Sequence, residues 1–162
     1  KYIAISQPGG PEVLQIREGI PTIGEHEVLI EVKAAGVNRP DILQRQGLYP
    51  MPEAYPRAGL EVAGVVVKVG AQVTAFMPGD RVCALTNGGG YAEYCAVPAA
   101  NVAIPAGLSF SEAAAIPETF FTVWRTSSSW VSCSLAKAFW STAAQRDGTT
   151  AVQLCHALGM TV

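Results

Sequence analysis

Apolar and polar residues alternate at short range along the first two-thirds of the chain, in runs cut by glycine and proline. Glu27–Ala34 (EVLIEVKA) switches between apolar and charged side chains at period two, the pattern of a half-buried strand. Glu61–Val69 (EVAGVVVKV) is β-branched and nearly continuous, which places it deep in a sheet, and Gly64 within it marks a bulge or a close backbone approach. Tyr2–Ser6 and Val13–Arg17 flank a Pro8-Gly9-Gly10-Pro11 turn. Pro78-Gly79-Asp80 turns into Arg81–Ala84, and Tyr91–Val97 and Asn101–Ile104 read as further strands. Many short strands at turn-punctuated spacing predict a barrel or sandwich.

Helices interrupt this pattern briefly. Asn38 is a good N-cap, Pro40 suits a first turn, and Gly47 stops a helix over Asp41–Gln46. Ser109 and Glu112 have the spacing of a capping box that opens an alanine-rich helix at Glu112–Ala115. A third helix is expected at Thr149–Leu158, closed by Gly159.

The 162 residues suffice for a domain of ordinary size with a full core. An apolar fraction of 49% and a charged fraction of 15% fit a soluble globular chain, and the 16 glycines and 11 prolines fit many turns. A net charge of −2 and the lack of a basic run argue against nucleic acid or an anionic membrane as partner. No signal peptide or bilayer-spanning run is visible, so a cytoplasmic location is the default expectation. Cys83, Cys95, Cys133 and Cys155 show no C-x-x-C pair, and neither His26 nor His156 stands at metal-ligand spacing from them. Cys83 and Cys95 lie in apolar, strand-like stretches and read as buried, reduced thiols.

Five segments carry a likeness to a known family. They are Gln7–Val13 (QPGGPEV), Ala34–Tyr49 (AAGVNRPDILQRQGLY), Arg57–Gly70 (RAGLEVAGVVVKVG), Pro78–Val82 (PGDRV) and Ile104–Trp124 (IPAGLSFSEAAAIPETFFTVW). In this order they resemble the zinc-independent, NADPH-dependent quinone oxidoreductases of the medium-chain dehydrogenase/reductase superfamily, most closely the p53-inducible type. The resemblance implies a mostly β fold with short helices: a GroES-like barrel and catalytic domain over residues 1–121, followed by the incomplete start of an NAD(P)-binding Rossmann α/β domain over 122–162. It implies hydride transfer from NADPH to a quinone or related electron-poor carbonyl compound, and a homo-oligomer as in the family. The alternative is a non-catalytic GroES-like remnant kept for binding or packing.

Zinc-dependent relatives carry a cysteine where this chain has Asn38, and a His-Glu pair where it has Leu60-Glu61. Asparagine and leucine offer neither thiolate nor imidazole, so no catalytic zinc is expected. Alcohol oxidation then lacks its Lewis acid, whereas a quinone needs only hydride delivery and a proton. The resemblance places Asn38 and Tyr49 at the nicotinamide and substrate cleft, with Asp41 a polar neighbour on the same short helix. It makes Asn38, Thr122 and Gly148 cofactor contacts. Structural roles compete with these: Asn38 as a helix cap, Asp41 as a first-turn dipole partner, Tyr49 as a rim aromatic, Thr122 as a hydroxyl bonded to its own helix. No dedicated general acid or base stands out, so positioning carries the reaction.

The family pattern breaks after Trp124. A strand and a Gly-rich turn should follow and seat the pyrophosphate on a helix N-terminus. Residues 125–147 instead read RTSSSWVSCSLAKAFWSTAAQRD, without a glycine, and Gly148–Val162 returns to the pattern of the first Rossmann helix. Codon degeneracy admits the missing turn if the segment is read one base out of register. The tryptophan codon then yields Leu-Gly around Trp130 and Leu-Val around Trp140, followed by codons compatible with His-Gly-Gly-Thr-Ala-Gly. Two compensating frameshifts, near Arg125 and near Asp147–Gly148, are therefore expected; a genuinely divergent loop is the alternative. With that turn scrambled, the 162-residue chain alone is expected to be inactive.

Overall fold

The computed structural model describes residues 1–51, 57–103, 106–125 and 146–159. The chain divides into two compact units, Lys1–Ala115 and Ile116–Val162. In the first, β1 (Tyr2–Ile5) and β2 (Leu14–Arg17) form an antiparallel hairpin around a 3-10 turn at Pro11–Val13. A second sheet has five strands in the order β6-β3-β4-β5-β7: β3 is Glu27–Ala35, β4 Glu61–Val69, β5 Arg81–Leu85, β6 Tyr94–Pro98 and β7 Val102–Ala103. All its pairings are antiparallel. The helix α1 (Arg39–Arg45) joins β3 to β4, and the short α2 (Phe110–Ala113) follows β7.

The expected closed barrel is not formed. The fold is a mixed α/β arrangement in which the five strands curl into an open half-barrel. Closure would require β6 to pair with β7, but among the described residues β6 pairs with β3, and β7 pairs with Cys83 and Ala84 of β5. The curl itself has a local cause. Register shifts between Leu29 and Ile30 and between Val32 and Ala34 bend the β3–β4 ladder and increase its twist. Gly64 sits opposite Val32 at the second shift, where a Cβ would lie 2.1 Å from the Glu31 carbonyl oxygen. Both expectations for Gly64, irregular pairing and close approach, meet at that point.

The interior follows from strand position. The alternation of β3 predicts a half-buried strand, yet Val28, Leu29 and Ile30 are all buried, because apolar groups pack on both faces of the sheet. One face of the sheet packs Val28, Ile30, Val62, Val66, Val82, Ala84, Cys95 and Val97 into the main core. The other face holds Ala63 and Cys83 against Ala113 and Ala114, with Leu108 and Phe110 alongside. Each fully buried valine contributes about 1.5–3 kcal/mol. Ser109 and Glu112 make the reciprocal bonds expected of a capping box: Ser109 N–H donates to Glu112 Oε2 at 2.9 Å, and Glu112 N–H to Ser109 Oγ at 3.3 Å.

The second unit contains a π-type turn at Pro117–Phe121 and the helix α3, Arg146–Ala157. The span of that helix takes in the three residues before the expected Thr149 and ends one before Leu158, so Gly148 lies within the helix. Most of the segment expected to be out of frame, residues 126–145, lies outside the described residues, as does Cys133. Cys83, Cys95 and Cys155 are free and buried. Among the described residues no helix is long and apolar enough to cross a membrane.

Candidate functional site

Asn38 ends the extended backbone after β3 and caps α1, with Pro40 inside the first turn where its missing N–H costs nothing. Asp41, one turn in, faces back toward the cap. Its Oδ2 accepts the Asn38 N–H at 2.8 Å and the Tyr91 hydroxyl at 2.8 Å, while Oδ1 accepts the Gly59 N–H at 3.1 Å. The carboxylate is buried, and three donors replace the water it loses. One side chain thereby ties α1 to the segment before β4 and to the loop before β6.

A second buried carboxylate adjoins it. Glu61 opens β4 with no solvent exposure, and its Oε1 accepts the Asn38 Nδ2–H at 2.9 Å. Glycine at position 36 makes room for this group, since a Cβ there would lie 2.1 Å from Glu61 Oε1. Gly59 takes φ +103°, a conformation that L side chains rarely adopt, and a Cβ on it would stand 2.4 Å from the Tyr91 nitrogen. The Gly59 carbonyl accepts the Thr86 hydroxyl at 2.7 Å, and Tyr91 N–H donates to the Ala58 carbonyl at 3.2 Å. This local bonding holds Tyr91 outside β6, which begins at Tyr94 rather than at the expected Tyr91. Burial, and after it the bond to Asp41, raises the Tyr91 phenol well above its ordinary range, so it acts as a permanent donor.

The structure brings Asn38 and Asp41 together. Tyr49 is 48% exposed and takes no part in the network. Thr122 is exposed and donates its hydroxyl to the Glu118 carbonyl, one turn back on its own helical segment. Gly148 is buried within α3. Sequence reasoning missed Glu61, Tyr91 and Gly59 as members of the site. A glutamate opening a nearly uninterrupted apolar strand was a legible signal for a buried, partnered carboxylate. Nothing local marked Tyr91 or Gly59. Among the described residues no group of three or more His, Cys, Asp or Glu side chains is placed to hold a metal ion.

Residues 24–106, which include this whole network, match the family model of the alcohol dehydrogenase GroES-like domain. The chain belongs to this family. Within it, the chain is similar to the quinone oxidoreductase of Lama guanicoe, at 43% identity over 130 residues covering 77% of this chain and 39% of the relative. The crystal structure of Escherichia coli quinone oxidoreductase complexed with NADPH is similar over 99% of this chain and 50% of that one, at 34% identity and a TM-score of 0.72. The human synaptic vesicle membrane protein VAT-1 homolog-like protein gives a TM-score of 0.79 at 31% identity, over 96% of this chain and 52% of that one. The GroES-like chain thus spans about two-fifths of the length of the curated relative, 39%, and about half of the solved ones.

Proposed function

We propose that this chain belongs to a zinc-independent oxidoreductase that passes hydride from NADPH to a quinone or a related electron-poor carbonyl compound. The observation that carries the reading is Asn38. At the position where zinc-dependent relatives carry a cysteine ligand, this chain has a neutral amide whose Nδ2 is bonded to the buried Glu61. An amide so held can neither ligate zinc as a thiolate nor drift, and suits the orientation of a planar ligand edge. Similarity to quinone oxidoreductases, one of them solved with NADPH, supports the substrate and cofactor classes.

NADPH, when bound, supplies the hydride. The residues assigned to hold it are Asn38, Thr122 and Gly148. Gly148, within α3, fits that role in having no side chain to keep a phosphate from the backbone. The Gly-rich turn that should precede it is missing from this sequence, since residues 125–147 hold no glycine. Asn38 orients the acceptor, Asp41 holds Asn38 through the helix cap, and Tyr49 serves as the cleft rim. On this reading residues 122–162 begin a nucleotide-binding domain, and a homo-oligomer follows the family habit.

The test is NADPH oxidation by the full-length gene product, with its reading frame established from DNA, against a panel of quinones and primary alcohols. Saturable quinone reduction that falls about tenfold or more in Asn38→Ala supports the proposal. Zinc-dependent alcohol oxidation, or quinone reduction indifferent to Asn38, refutes it.

A further inference from the structure

The inner face of α1 that presents Asp41 also presents Ile42 and Arg45, spaced so that positions 41 and 45 stack one turn apart. Together with the β1–β2 hairpin this face encloses a cavity of about 150 Å3, entirely within the first unit. Its apolar wall is Ile5, Leu14, Val37, Ile42 and Ala58. Leu14 and Val37 are exposed, so the cavity has an open mouth. Of the residues assigned to the quinone cleft, Asp41 lines it, while Asn38 and Tyr49 do not.

Its polar groups are Asp41, Tyr91 and Arg45, and their bonding differs. Asp41 already accepts from three donors, and the Tyr91 hydroxyl is spent on it. Arg45 Nε donates to the Gly9 carbonyl at 3.2 Å, and Gly9 N–H returns a bond to the Arg45 carbonyl at 2.9 Å, which fastens the hairpin to the end of α1. The remaining guanidinium donors meet no carboxylate among the described residues. A half-buried guanidinium beside an apolar wall, with its neighbouring carboxylate committed elsewhere, presents a fork matched to a planar anion. An apolar cavity near 150 Å3 has the size that admits benzene.

We infer that this cavity is a binding site for a one-ring aromatic carboxylate, its ring against Ile42 and Ala58 and its carboxylate on Arg45. The inference goes beyond the oxidoreductase reading and does not depend on it. The test titrates the 162-residue chain with benzoate, benzamide and acetate while recording backbone amide spectra. Benzoate should shift the signals of Ile5, Ile42, Ala58 and Tyr91 saturably. Benzamide, lacking the charge, and acetate, lacking the ring, should each bind about tenfold or more weakly. Arg45→Gln should bring benzoate down to the benzamide level. Val37→Trp, a change at an exposed position of the mouth that keeps the fold, should also block benzoate, which decides the matter if Arg45→Gln does not fold. Equal affinity for benzoate and benzamide, shifts mapping away from the cavity, or no saturable shift would each overturn the proposal.

Discussion

Replacing Tyr91 with phenylalanine removes one oxygen and tests whether Asp41 is the junction that holds the site together. The lost bond, 2.8 Å from a phenol to a buried carboxylate, is charge-assisted, a class that contributes about 1.5–3 kcal/mol. Asp41 keeps the Asn38 and Gly59 N–H donors, so its charge is not abandoned and the cost falls in the lower half, about 1.5–2 kcal/mol. For a folded unit of this size that lowers Tm by about 5–10 °C. The pH dependence gives an independent reading. Because the phenol is raised in the folded chain, it keeps a proton that the unfolded chain releases near pH 10. The contribution is complete below that pH and is lost as pH rises, with a slope of up to about 1.4 kcal/mol per pH unit. Urea unfolding followed by far-UV circular dichroism at pH 7 and across pH 9–11 measures both effects. Tyr91→Phe should start lower and fall less steeply above about pH 10. A variant within about 0.5 kcal/mol of the parent, or one with the same alkaline slope, would show that the bond is not sustained in solution.

Three further outcomes are expected. Gly59→Ala forces a side chain into a φ of +103° and against the Tyr91 nitrogen, and should cost about 2–4 kcal/mol in the same urea assay; a near-neutral result would mean that the loop relaxes freely. Burial holds the Cys95 thiol up at about 12 and raises Cys83 as well, so both should resist alkylation at pH 8 in the folded chain and react on unfolding, as peptide mapping would reveal. Elemental analysis after mild chelation should find far less than one zinc per chain, given Asn38 and Leu60 where zinc relatives carry ligands; near-stoichiometric zinc would contradict the site reading.

What the amino-acid order determined alone were the features built from near neighbours. Period-two alternation and β-branching located β3, β4 and β5, because side-chain direction alternates with each residue whatever the strand later pairs with. The Ser109–Glu112 capping box and the Asn38 cap formed as read, since each bond spans three residues. Family likeness along residues 1–124 named the fold and the candidate positions Asn38 and Asp41, and Leu60 in place of a ligand was visible by inspection. Tertiary structure decided the rest. Whether five strands close into a barrel depends on edge pairing between β6 and β7, and no residue in either strand records which neighbour it will take. β3 looked half-buried because its own alternation cannot report what packs on each face of the sheet. Asp41 looked like a first-turn dipole partner until chain reversals brought Gly59 and Tyr91, 18 and 50 residues away, to its two oxygens. A carboxylate's role is set by the donors around it, and donors that distant in sequence meet it only after the sheet has curled.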